Sequence, residues 1–261
     1  MKIEFQLRYR ANRPGSLSME EQNAEMMARM VRMDLPFGLN WLNEWPVVTV
    51  EKEDDWTEFF GIVYPENQVG CHLYYTNLRD NEEEISCDDV INYVIEDSAT
   101  IAGEYHNILH NQYPVMIEHF KAYSGTLWMM EYIFKYDEMC PEVPLEYFRG
   151  GAPRSDIFYL HPAQYWDEEM CYTNLGYGPE EVIRRLERAR FKGRAIPRVQ
   201  EINGGVYSVM SDEANMSYEE FEAMNKYYAK VLGIRQRSWW RLWERSRLLS
   251  KWRKWRNGEE E

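Results

Sequence analysis

Lys2-Ile3-Glu4-Phe5-Gln6-Leu7-Arg8-Tyr9-Arg10 alternates strictly, with Ile3, Phe5, Leu7 and Tyr9 on one face and charged or amide groups on the other. A period of two sustained over this length marks a strand with one face on a core. After the turn Asn12-Arg13-Pro14-Gly15, Ser18 and Glu21 form a capping-box pattern ahead of Met26, Met30 and Met33, which predicts a helix ending near Pro36. The methionine stripe reads as core packing rather than a cofactor pocket, because the unbranched thioether fills irregular gaps.

Further along, short β-rich runs at 47–50, 59–64 and 71–76 are separated by acids and by Pro65-Glu66-Asn67, which predicts an antiparallel meander. Ser86, Asp88 and Asp89 look like the start of a long helix carrying Val90, Val94, Ile101, Tyr105 and Ile108 on one face and limited by Pro114. Trp128, Met130, Tyr132, Phe134 and Tyr136 alternate as a further strand would. Residues 140–178, rich in Pro, Gly and Tyr, read as irregular, with a short strand at 157–160. Pro179, the acids Glu180 and Glu181, and the stripe Val182, Ile183, Leu186 and Ala189 predict a helix. Gly204-Gly205 leads into a strand over 206–210, and Ser217 with Glu220 caps a last helix stopped at Gly233.

Strands and helices mixed without regular βαβ alternation predict an α+β fold: a mixed, largely antiparallel sheet packed against several helices, with a basic, Trp-rich C-terminal helix. Residues 1–234 read as one α+β domain, with 141–160 as the point where a subdivision would fall, followed by 235–261 as an amphipathic basic helix and acidic tail. A chain of 261 residues with 44% hydrophobic and 15% aromatic side chains has ample material for such a core.

The charge is uneven. Acids outnumber bases 44 to 30, for a formal net charge of -14, yet residues 235–256 hold nine Lys/Arg against Glu244 alone. Allowing also for Glu259, Glu260 and Glu261, the body before Arg235 carries about −19. Such a body repels nucleic acid and steers basic proteins toward itself. The same acidity also serves simply to keep a protein soluble. For the basic segment, with Trp239, Trp243, Leu249, Trp252 and Trp255 at roughly helical spacing, three roles compete. It can lie on an anionic membrane, grip nucleic acid, or fold against the acidic body of its own chain or of a second copy in a homodimer. The last is favoured, since the body is the nearest counter-charge. Cys71, Cys87, Cys140 and Cys171 lie far apart and read as reduced, packed thiols. No secretory signal and no apolar run long enough to span a bilayer is seen, so the cytoplasm is the expected compartment.

The chain lacks G-x-x-x-x-G-K-[ST], G-x-G-x-x-G after a strand, G-x-S-x-G and H-E-x-x-H, which removes the commonest NTPase, dinucleotide, esterase and zinc-protease readings. Of His72, His106, His110, His119 and His161, only His106 and His110 share a helix face at metal-ligand spacing, with Glu104 or His119 imaginable as a third ligand. Tyr105 and Ile108 beside them favour histidines that merely flank a buried face, so no metal, cofactor or catalytic residue is assigned. The acid doublets at 88, 180 and 219 read as helix N-terminal charges. Asp54 and Asp55, and the run Glu82, Glu83 and Glu84, fall in loops; these five are the expected contacts to a basic partner, with a solvated loop as the plain alternative.

His161-Pro162, Tyr165-Trp166-Asp167-Glu168-Glu169, Cys171, Leu175-Gly176 and Gly178-Pro179-Glu180-Glu181-Val182 together resemble a segment of bacterial immunity proteins from polymorphic toxin systems. Gly204-Gly205-Val206-Tyr207-Ser208-Val209-Met210-Ser211-Asp212, with Glu219-Glu220-Phe221 and a helix ending at Leu232-Gly233, extends the resemblance to residues 161–234. The family is immunity protein 52. The resemblance implies a cytoplasmic α+β protein that binds and neutralises a cognate toxin, typically a nuclease of the restriction-endonuclease fold delivered by a secretion machine between competing bacteria. It assigns no inhibitory residues, and the basic tail after Arg235 departs from the family pattern. An acidic protein can compete with nucleic acid for a nuclease's cationic surface, or block toxin assembly without touching the active site. Two other classes stay open: a metal-dependent enzyme built on His106 and His110, and a peripheral membrane or scaffold protein acting through its Trp-rich tail.

Overall fold

The computed structural model describes residues 3–10, 28, 49–52, 56–64, 69–76, 88–95, 103–129, 131–132, 135 and 160–234. The expected helix between Ser18 and Pro36, apart from helical Ala28, and the basic segment 235–261 lie outside the described residues.

The opening alternation forms β1 (Ile3–Arg10), the middle strand of a nine-stranded sheet. On one side of it come β5 (Asp88–Ile95) and then β4 (Val69–Thr76), β3 (Trp56–Tyr64) and β2 (Thr49–Lys52), the last three being the expected meander. On the other come β6 (Ser124–Met129), β7 (Ala163–Trp166), β11 (Gly205–Val209) and β10 (Arg198–Ile202). Every neighbouring pair is antiparallel. A separate hairpin pairs β8 (Arg190–Phe191) with β9 (Arg194–Ala195). The α+β class is thus the observed one, with the sheet wholly antiparallel among the described strands.

Register explains the core. Ile3, Phe5 and Leu7 stand opposite Met129, Leu127 and Gly125 on β6, and Ile3 and Phe5 opposite Ile95 and Tyr93 on β5. All of these are buried, as a period-two strand with one face on the core requires. Helix α1 covers this face. It consists of α turns Tyr105–Asn107 and Tyr113–Phe120 around a π-helical segment, Ile108–Gln112. The Tyr113 ring meets Phe5 edge-on at 5.3 Å, and its hydroxyl donates to the Thr126 carbonyl at 3.2 Å. Gly125 makes room for it: a Cβ there would lie 2.9 Å from the Tyr113 oxygen.

Four expectations need correction. Residues 88–95 are a strand, not the start of a long helix, so Asp88 and Asp89 open β5 rather than complement a helix dipole. The β-branched and aromatic run Val90-Ile91-Asn92-Tyr93-Val94-Ile95 pairs with β1 and β4 at once, and that two-sided pairing overrides the helical spacing of Val90 and Val94. The strand expected to run to Tyr136 stops at Met129, and Glu131, Tyr132 and Lys135 are helical. Tyr132 turns away to stack on Phe221 at 4.8 Å and to donate to the Met216 carbonyl. Pro114 lies inside α1 instead of ending it, for a reason given below. Within the stretch read as irregular sit β7 and helix α2, an α turn Glu168–Met170 continued by the π segment Cys171–Leu175; of the short strand expected at 157–160, residues 157–159 lie outside the described residues and Leu160 is not in a strand. The short strands β8, β9 and β10 had no counterpart in the sequence reading.

Two further helices follow the sequence signals. Helix α3 (Pro179–Arg188) starts at Pro179 and buries Val182 and Leu186. Helix α4 (Tyr218–Leu232) begins with the Ser217 side chain accepting from the Glu220 N–H at 3.2 Å, and ends at Gly233 with φ 71. They pack on each other, and α3 also covers β10 and β11, whose five β11 positions are all buried. Among the described residues no helix is long and apolar enough to cross a membrane.

Candidate functional site

Helix α1 is distorted where it meets β10 and β11. The Tyr113 N–H bonds to the Ile108 carbonyl five residues back, so the next bond in that register would come from Pro114 to Leu109. Proline has no N–H to give. The Tyr207 hydroxyl on β11 supplies the missing donor, reaching the Leu109 carbonyl at 2.7 Å, and the Arg198 guanidinium on β10 donates to the His110 carbonyl. Two strands thereby hold the turn that carries His106 and His110.

The two imidazoles stack with ring centroids 4.0 Å apart and planes 21° from parallel. Both point toward Asp212, which follows β11 in a loop tied down by Met210 and Ser211 N–H bonds to the Pro162 carbonyl at 2.7 and 3.2 Å. His106 Nδ1 lies 3.2 Å and His110 Nε2 3.5 Å from Asp212 Oδ2. The side chain of His106 is 70% exposed, that of His110 only 15%, so one histidine faces solvent and the other is set into the fold. Burial lowers the His110 pKa, and the neighbouring His106 and Arg198 charges push the same way against the pull of Asp212. The neutral, lone-pair-bearing imidazole is favoured there.

One ligating atom from each of His106, His110 and Asp212 falls within 4.8 Å of the others, and theirs is the group of metal-ligand type found among the described residues. Asp212 lines a cleft of about 320 Å³ with Arg194, Glu213 and Glu220. His110 lines a second cleft, of about 500 Å³, with Pro114, Arg198 and Gln200. Beneath them Tyr105 is fully buried, its hydroxyl has no hydrogen-bond partner among the described residues, and burial drives its pKa far up.

The histidine pair is therefore brought together as its spacing predicts, but the third group is Asp212, not Glu104 or His119. Its separation of 106 residues from His106 left only one sequence signal, its place at the end of the 204–212 segment. Asp54, Asp55, Glu82, Glu83 and Glu84 lie outside the described residues. The strands flanking them are described. Lys52 stands opposite Thr57, Trp56 opposite Thr76, and Arg10 opposite Asp88, so the ends bounding connections 53–55 and 77–87 share one end of the sheet.

Residues 161–234 owe much of their pattern to architecture. A Cβ at Gly205 would sit 2.3 Å from the Trp166 carbonyl oxygen, and one at Gly178 2.7 Å from the Tyr172 hydroxyl. Asp167 caps α2 by accepting from the Met170 N–H at 2.8 Å, and His161 and Cys171 are buried. Comparison with protein-family models, curated proteins and solved structures finds no match, so the immunity-protein resemblance rests on the residues of this segment alone.

Proposed function

We propose that this chain acts by binding and neutralising a basic protein, as an immunity protein does a secreted antibacterial nuclease, and that it does so in the cytoplasm without catalysis. The observation that carries the reading is the distribution of charge. Residues 1–160 hold 28 acids against 12 bases, whereas residues 161–234 hold a near-balanced 12 against nine. Across 53–55 and 77–89 the chain has nine acids and one base, Arg79, and the strand ends that bound these stretches lie side by side. Neighbouring strands are about 4.8 Å apart, so the strand ends that bound the two connections lie within roughly 10–15 Å of each other. Concentrated negative charge of this kind speeds encounter with a cationic surface and competes with phosphate for it.

The test is charge reversal. In cells expressing the toxin encoded beside it, the wild-type chain should protect, and the variant with Asp54→Lys, Asp55→Lys, Glu82→Lys, Glu83→Lys and Glu84→Lys should lose protection while keeping its melting temperature. Equal protection by the folded variant would remove these acids from the interface. No protection by the wild type would end the proposal.

A further inference from the structure

We propose that His106, His110 and Asp212 bind a divalent transition-metal ion of the zinc class, a site separate from the acidic end of the sheet. Three observations carry it. The first is convergence: two imidazoles from one face of α1 and a carboxylate from the loop after β11 present ligating atoms within 4.8 Å of one another. The second is spacing. Ligands about 2.0–2.2 Å from a tetrahedral zinc lie roughly 3.3–3.6 Å from each other along the tetrahedron's edges. Asp212 Oδ2 stands 3.2 Å from His106 Nδ1 and 3.5 Å from His110 Nε2, one just below that range and one within it. The third is an unsatisfied atom. His110 Nε2 is buried and 3.5 Å from the carboxylate, at the outer limit of hydrogen-bond distance, and has no well-formed hydrogen bond among the described residues. A plain histidine–aspartate ion pair would align that nitrogen for a hydrogen bond; a shared ion between them satisfies it without one.

The donor set selects the metal. Imidazole with one carboxylate suits zinc and its late transition-metal neighbours, whereas magnesium and calcium prefer oxygen alone. The Asp212 charge attracts the cation. Arg198 opposes it, but that guanidinium is turned to the His110 carbonyl and to Gln200 rather than to the carboxylate. Three protein ligands leave a fourth position, and the exposure of His106 puts it toward solvent, open to water or to a side chain of another protein. A bound ion would tie α1, whose His110 lines one cleft, to the loop leading into α4, whose Asp212 lines the other.

The experiment uses the untagged full chain, stripped with a chelator and titrated calorimetrically with zinc chloride at about pH 7.5, above the imidazole range. Expected are one equivalent of zinc and a higher melting temperature in its presence. Tenfold or more weaker uptake is expected in His106→Ala, and no change in His119→Ala, which removes another exposed histidine of the same helix. Cobalt(II) should give the intense visible bands of a four-coordinate site, and a large excess of magnesium should not compete. Since His106 is on the surface, its variant should melt as the metal-free wild type does, which keeps the comparison valid; Asp212→Asn provides a second, independent loss. Absence of zinc uptake by the wild type, or undiminished uptake by His106→Ala, overturns the site.

Discussion

His161 shows how a single buried group sets a pH dependence. Its imidazole is buried, and the loss of hydration pushes its pKa down to about 3 from an ordinary value of 6.5. The folded form thus keeps it neutral, while the unfolded chain takes up a proton as pH falls below 6.5. Stability from this group is fully present above that pH and is lost on acidification toward 3. The expected loss is about 2 kcal/mol between pH 6.5 and 5, by linkage. Urea unfolding across that window should show it, and His161→Asn should flatten the slope by that amount; parallel slopes would mean that the imidazole is hydrated in the fold. Nothing in the sequence around His161-Pro162 announces burial, because a histidine beside proline is equally at home in a loop. The group of His106, His110 and Asp212 was legible in part. The four-residue spacing of His106 and His110 is local and readable, whereas Asp212 joins them only through the pairing of β7 with β11.

Elements were legible where their signals are local and lost where partners decide. Ser217, Gly233 and Pro179 state helix ends directly, through a side-chain cap, a left-handed residue and a fixed φ, and each stands where expected. The alternation in β1 was equally plain. Strand β5 was misread because a run apolar on both faces suits a central strand and a helix alike, and only β1 and β4 on its flanks settle it. The passage of α1 through Pro114 depends on donors from β10 and β11, about 90 residues away, which no local pattern reveals. Tyr207→Phe should therefore orphan the Leu109 carbonyl and cost about 1–3 kcal/mol in chemical denaturation. An unchanged midpoint would show that the π turn holds without the hydroxyl. Gly205→Ala should cost about 2–3 kcal/mol, since the added methyl meets the Trp166 backbone 2.3 Å away and strands β7 and β11 cannot separate without losing ladder bonds. A neutral substitution there would mean that the hairpin before β11 shifts freely.

For the whole molecule, one sheet built from both halves of the sequence joins two regions of different character. Residues 161–234 are nearly balanced in charge and organised by caps, glycines and buried aromatics, while residues 1–160 carry the surplus acids. Composition made this asymmetry visible at once, but only strand register reveals that connections 53–55 and 77–87 start from the same end of the sheet. Recognition led by charge has a measurable signature, since exposed ionic attraction is screened over about 8–10 Å at physiological salt. The decisive measurement is calorimetric titration of the purified chain with the inactivated nuclease domain of the proposed cognate toxin, at low and at high salt. A one-to-one complex that weakens at least tenfold between about 50 and about 300 mM salt is the expected result. No complex at micromolar concentrations of either protein would contradict it.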